Sequence, residues 1–159
     1  MEIFENMIVR NFDKESDKNI LDEINGKSKS NMIHQIEERL LTSRKVESLE
    51  FDNAYLIDIA NKTVAYIFLS GKSKQVIYFE CLVLKDYRNK GVGKYILENM
   101  SEYILRNNTD LKEIKLSIDR SNIASMRTAE SVGYVCDSDY TNEKLDFIMD
   151  NPYYVKYKK

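Results

Sequence analysis

The chain has 159 residues, 43% of them hydrophobic and 31% charged, with a net charge of -2. That is enough apolar matter for one core and enough charge to solvate it, which excludes a disordered or fibrous chain and makes a single domain over residues 1–159 the expectation. The near-balanced charge gives no global attraction to nucleic acid or anionic lipid, although Lys156, Lys158 and Lys159 make the last residues locally basic.

Residues 2–12 read as a strand in which Glu2, Glu5, Asn6 and Arg10 interrupt the apolar residues. They lack the continuous apolar run of a signal peptide. No later run reaches membrane-spanning length, so no membrane partner and a cytoplasmic location are expected. A helix is expected over residues 13–25, with Ile20, Leu21 and Ile24 on one face and Asn25-Gly26 ending it. A second over residues 31–48 turns Ile33, Ile36, Leu40 and Leu41 inward and Gln35, Glu37, Glu38 and Arg39 outward, and it carries the sole histidine, His34. Three strands follow over residues 55–60, 63–70 and 75–84, parted by turns at Asn61-Lys62 and Gly71-Lys72. The next helix, residues 93–107, repeats Ile96, Leu97, Met100, Tyr103 and Ile104 along one side. A strand over 113–119 alternates Ile114, Leu116 and Ile118 with Lys115 and Ser117, and a helix over 122–132 stops at Gly133. Aromatic strands near 134–140 and 153–158 close the chain, and an open edge there would suit a homodimer as well as a monomer. A strand–helix–strand unit among hairpins implies an α/β protein with a mixed, mostly antiparallel sheet, a parallel pair at its middle and about four helices. Cys81 and Cys136 sit in apolar stretches without metal-ligand or disulfide spacing, so free buried thiols and no metal are expected.

The chemically informative stretch is residues 76–94, a strand running into a glycine turn that opens a helix. Amide groups in such a turn have no intrahelical partner and the helix dipole adds positive potential, a context suited to a pyrophosphate, though a bare Gly-x-Gly is also a common structural turn. Spacing excludes two phosphate loops. A P-loop needs glycine where Arg88 stands and Ser or Thr where Tyr95 stands, and the dinucleotide fingerprint needs a third glycine where Ile96 stands. What the stretch resembles is the Arg/Gln-x-x-Gly-x-Gly/Ala signature of the GNAT acetyltransferase superfamily, here Arg88-Asn89-Lys90-Gly91-Val92-Gly93. Asn122-Ile123-Ala124-Ser125, followed by Gly133-Tyr134, is similar to the family's second motif.

The resemblance implies the GNAT fold, acetyl-CoA as cosubstrate and direct transfer of its acetyl group to a primary amine, whether of a protein N-terminus, a lysine, a polyamine or a small molecule. It implies that Arg88, Asn89, Lys90, Gly91, Val92, Gly93 and Lys94 grip the coenzyme, that the parallel strands splay around its pantetheine arm, and that backbone groups of Leu82, Val83 and Leu84 hydrogen-bond it and polarise the thioester carbonyl. Glu80 interrupts an apolar strand near where related enzymes place a general base, so it is either that base or a paired structural carboxylate. Asn122 either touches the coenzyme or caps its helix. Many members carry a tyrosine four residues before the glycine to protonate the leaving thiolate; Ala129 stands there, which leaves Ser125 or water for that step. The same departure fits an alternative, a degenerate domain that senses acyl-CoA without turnover. Acceptor choice is expected from residues 13–50, with the acidic Glu23, Glu37, Glu38, Glu47, Glu50 and Asp52 nearby, and from a hairpin near 142–152.

Overall fold

The structure is a computed structural model that describes residues 2–25, 31–71, 73, 75–137 and 143–155. Its elements in chain order are β1 (Glu2–Phe4), β2 (Met7–Arg10), α1 (Lys18–Asn25), α2 (Asn31–Leu41), β3 (Asn53–Ile59), β4 (Lys62–Gly71), β5 (Val76–Val83), α3 (Val92–Asn107), β6 (Glu113–Asp119), α4 (Ile123–Val132), β7 (Val135–Cys136) and β8 (Lys144–Asp150). One eight-stranded sheet takes the order β1-β2-β3-β4-β5-β6-β8-β7. Every neighbouring pair is antiparallel except β5 and β6. This is the mixed α/β architecture with a central parallel pair.

Five boundaries differ from expectation for identifiable reasons. Residues 2–12 are two strands, because Glu5-Asn6 makes a tight turn with Asn6 at φ 64°. The first helix begins only at Lys18, since Asp17 turns its carboxylate back onto the amide of Asp13 and the guanidinium of Arg10. The second ends at Leu41 and leaves Leu41 exposed; the chain then crosses to β3 as an irregular segment held by Asn53, which bonds both backbone groups of Arg44. Residues 144–150 form a full strand paired with β6 along its length rather than a hairpin loop, and the described residues after 150 are not strand. Leu145 and Phe147 alternate inward there, a period-2 signal masked by Lys144, Asp146 and Asp150. Of the aromatic strand expected over 153–158, residues 153–155 are not strand and the rest lie outside the described residues; at that end of the sheet β7 is the edge strand. The β3–β4 turn also sits one residue earlier, at Ala60-Asn61, both with positive φ as a type I′ turn requires.

The sheet has a helix pair on each face. On one side α3 and α4 bury Ile96, Met100, Ile104 and Ala129 against Ile67, Leu69, Ile77, Phe79, Ile114, Leu116 and Phe147. On the other, Ile24 of α1 and Ile36 and Leu40 of α2 pack on Ala54, Leu56, Tyr66 and Leu84. Each fully buried large apolar side chain is worth about 1.5–3 kcal/mol, so the two faces together account for the sheet's central position. β3 and β4 are covered on both faces, which is why they read as near-continuous apolar runs. α1 and α2 cover β3, β4 and the near side of β5 only. Among the described helices none is long and apolar enough to cross a membrane.

Candidate active site

The parallel pairing of β5 with β6 is short. Val76, Ile77 and Tyr78 lie opposite Glu113, Ile114 and Lys115, and there the ladder ends, although β5 runs on to Val83 and β6 to Asp119. β6 stays bound to β8 over its whole length while β5 stays with β4, so the sheet parts between them. Which backbone groups of β5 face the gap follows from register. The amide of Leu84 donates to the carbonyl of Val64 at 2.8 Å and Val83 lies opposite Ala65, which makes Val83–Ala65 a non-hydrogen-bonded pair. The N–H and C=O of Val83 and Cys81 therefore point away from β4, into the gap. Those of Leu82 and the amide of Leu84 are committed to β4, and the Leu84 carbonyl accepts from the amide of Tyr87 at 3.0 Å, which corrects the expectation that all three of Leu82, Val83 and Leu84 present backbone groups there. Leu84 is instead a buried packing residue.

The strand leads through a short helical turn, Lys85–Tyr87, into the glycine loop. Asn89 (φ 62°) and Gly91 (φ 77°) both take left-handed backbone, which turns successive amides to one side. Gly91 is the N-cap of α3, without a side-chain cap. The amides of residues 89–94 donate to no other group among the described residues, whereas those of Arg88 and Tyr95 on either side are bonded. A Cβ on Gly91 would meet nothing within 4 Å, so what this position demands is its φ and an open approach. Gly93 has ordinary φ, and a Cβ there would lie 3.6 Å from the Val83 side chain, at the junction of loop and gap. Arg88, Lys90 and Lys94 stand exposed around the cradle. The Nε of Arg88 donates to the carbonyl of Val83 at 2.8 Å, tying the loop to the strand end that faces the gap. An anionic diphosphate fits this arrangement of amides, dipole and cations.

Glu80 lies on the α1/α2 face of β5, two residues beyond the last β5–β6 pair. It is not buried: its side chain is 41% exposed and paired with Arg39 of α2. The Tyr66 hydroxyl donates to the same oxygen, Oε2, at 3.1 Å, and Arg39 reaches that hydroxyl at 3.4 Å. The Arg39 guanidinium also lies 4.1 Å from the centroid of the Phe68 ring, and Phe68 is directly opposite Glu80 in the β4–β5 register. Burial pushes the Tyr66 hydroxyl far above its ordinary range and the charge of Glu80 adds to this, so Tyr66 is a donor at any physiological pH. Arg39 and Tyr66 were not among the sequence candidates. Arg39 reads as an outward helix residue, yet it stands three positions from Ile36 and next to Leu40, which places it at the edge of the buried stripe; Tyr66 reads as one more strand hydrophobe.

The second motif folds as a cap. The Asn122 side chain accepts the amide of Ser125 at 3.2 Å, so Asn122 caps α4. Ser125 lies on the first turn of that helix, half-buried, and no hydrogen bond joins it to Glu80 or the glycine loop among the described residues. Both turns follow the carboxyl ends of the two parallel strands, the end at which such sheets bind ligands. Ala129 is 0% exposed, packed in the core beneath α4. The cysteines are half-buried, less covered than expected. Cys81 packs against the α3 side of the sheet, and burial with the nearby Glu80 charge pushes its thiol up to about 12. The side chain of His34 lies outside the described ones. Two surface depressions, one beside Arg10 and Val46 and one beside Phe12 and Leu41, involve none of these residues. No group of acidic, histidine or cysteine side chains arranged to hold a metal ion occurs among the described residues.

A mixed sheet parted at its parallel strands, with an anion cradle opening the helix between them, defines a coenzyme-binding transferase domain. The chain belongs to the acetyltransferase (GNAT) family, whose model matches residues 21–134. Members of this family use acetyl-CoA as cosubstrate. No curated protein sequence matches the chain. Among solved structures, the ribosomal-protein-S5-alanine acetyltransferase from Vibrio fischeri is similar, with a TM-score of 0.70 at 14% identity over 96% of each chain. A mutant of spermidine N-acetyltransferase from Vibrio cholerae gives 0.67 at 11% identity, over 96% of this chain and 98% of that one. A putative acetyltransferase, yncA from Salmonella typhimurium, solved with acetyl-CoA, gives 0.60 at 14% identity over 91% and 94%. At these identities the likeness is one of fold.

Proposed function

We propose that the protein transfers the acetyl group of acetyl-CoA directly to a primary amine. The observation that carries this reading is the parting of β5 and β6 beside a run of unpartnered loop amides, since neither feature stabilises the fold on its own and together they fit a coenzyme lying from loop to gap. Acetyl-CoA supplies an acyl carbon activated as a thioester and a thiolate leaving group of pKa about 8.5. The amides of residues 89–94, with Arg88, Lys90 and Lys94, hold the diphosphate end. The backbone edge of Val83 and Cys81 holds the arm and polarises the acyl carbonyl.

Helices α3 and α4 close one face of the gap, so the acceptor enters from the other, where Glu80 stands. Oε2 of Glu80 is engaged by Arg39 and Tyr66; Oε1 has no partner among the described residues and takes the amine proton as the C–N bond forms and the C–S bond breaks. Ser125 or water returns a proton to the departing thiolate. No acyl-enzyme is needed, and Cys81 is poorly suited to form one, its thiol being protonated and turned to the α3 side. Ala129, buried where the family often has its acid, favours a second reading in which the domain binds acyl-CoA without turnover.

One experiment separates the two. Wild-type protein with acetyl-CoA and a panel of amines should release free thiol, and Gly91→Asp should lose both release and coenzyme binding by calorimetry, because a carboxylate would occupy the anion cradle. Binding without thiol release for any amine identifies the sensor. Unchanged binding by folded Gly91→Asp removes the loop from the site.

A further inference from the structure

The ion pair between Arg39 and Glu80 bridges α2 and β5 at the mouth of the gap, and it is only partly used up by its own members. Arg39 has five N–H donors in a planar fork. Its Nη1 serves Glu80 and Tyr66, while Nε and Nη2 have no partner among the described residues. The plane is fixed from below by Phe68 at 4.1 Å, and the Arg39 side chain is 32% exposed. Glu80 in turn keeps Oε1 for an incoming group. A free carboxylate oxygen and a free edge of a guanidinium thus stand side by side, held by a ring, a phenol and each other.

We propose that Arg39 is a specificity-determining residue, and that the acceptor is an amine whose adjacent carbon bears a carboxylate or a peptide carbonyl: an α-amino acid or the N-terminus of a peptide. This rests on the transferase reading above. In such a group three bonds of about 1.2–1.5 Å join amine nitrogen to oxygen, so the two lie within about 4 Å and can meet Glu80 and Arg39 together. A polyamine presents a second cation to a guanidinium that already neutralises the acid, and a lysine side chain places its amine several carbons from any carbonyl. The chemistry of the amine agrees. For a peptide N-terminus, freeing the α-amine of its proton at pH 7 costs about 1 kcal/mol against about 4.6 for a lysine, so a carboxylate already committed to an ion pair suffices.

The test is thiol release from acetyl-CoA with four acceptors: alanine, trialanine, Nα-acetyl-lysine amide and spermidine, on wild type, Arg39→Lys and Arg39→Gln. Charge-assisted recognition by the fork should give alanine or trialanine a roughly 10- to 100-fold advantage in kcat/KM over the other two. Preference for alanine identifies a free amino acid as the source, and preference for trialanine a peptide. Arg39→Lys keeps the charge beside Glu80 but loses the fork. It should bind acetyl-CoA as wild type does and lose most of that advantage through KM, as should Arg39→Gln if it folds. Equal or better turnover of spermidine or Nα-acetyl-lysine amide, or a preference that survives in Arg39→Lys, overturns the assignment and leaves the transferase standing. No release with any acceptor sinks the transferase reading itself, and the acceptor assignment with it.

Discussion

Glu80 faces solvent on one side and two donors on the other, and the two roles open to it differ in how they respond to pH. If Oε1 takes the amine proton, Glu80→Gln should lower kcat/KM about 10²-fold at pH 7, with acetyl-CoA affinity nearly intact. The deficit should shrink as pH rises toward 9, because the acceptor is then neutral in solution and needs no base. A deficit of equal size from pH 6 to 9 would mean that the carboxylate only holds Arg39 in place. The position was legible in the sequence as a lone acid in an apolar strand. Its partners were not, because Arg39 lies 41 residues away and Tyr66 lies 14 away across a hairpin, separations that only the folded β4–β5 register and the packing of α2 close.

At the scale of an element, α4 shows how one residue can satisfy a motif and a helix at once. The Asn122 side chain bonds the Ser125 amide at the N-terminus, and Gly133 (φ 113°) ends the helix with its amide on the carbonyl of Glu130 and that of Ala129. Asn122→Ala should cost about 1 kcal/mol, seen as a melting temperature lower by about 2–4 °C, while Asn122→Asp keeps the cap and the stability. If capping is its whole contribution, coenzyme affinity stays at the wild-type value in both variants. A clear loss of affinity in Asn122→Asp would give the residue a contact with the coenzyme as well.

Across the whole molecule, the N-terminal strand, the start of α1 and the β3–β4 hairpin are joined by one guanidinium. Arg10 reaches Asp17 through Nη1 and Nη2, both at 2.7 Å, Asp58 through Nε at 2.8 Å and the Thr63 hydroxyl at 2.8 Å. Burial pushes the Asp17 carboxyl upward, but the hydrogen bonds and charge of Arg10 and the amide of Asp13 outweigh it and hold Asp17 below its usual 3.8. A carboxyl lowered by folding adds stability that is complete above about pH 4 and is lost as pH falls through the folded value. Asp17→Asn should therefore cost roughly 2 kcal/mol at pH 7, less than the ~3–5 of a fully buried pair because the Arg10 side chain is 27% exposed. It should also flatten the decline in stability as pH falls below about 4, read from urea unfolding at each pH. A decline as steep as the wild type's would assign the acid sensitivity to other carboxylates.

What the chain's order of residues determined alone is the part that short-range physics controls: the amphipathic period of α3, the strand before it, the glycine loop between them and the cap of α4. Each depends on neighbours within a turn or two, so residues 76–134 could be read nearly to their boundaries. Tertiary structure decided what depends on distant partners. Residues 144–150 became a strand because β6 offered an edge that their inward Leu145 and Phe147 could match, despite their charges. Leu82 and the amide of Leu84 were turned from the gap toward β4 by a register that no local pattern specifies, and Arg39 was drawn from an outward position to Glu80 by the packing of α2 on the sheet. Local sequence sets backbone shape, but register and the choice of ion-pair partner are set by the free energy of bringing separate segments together, and that exists only in the folded chain.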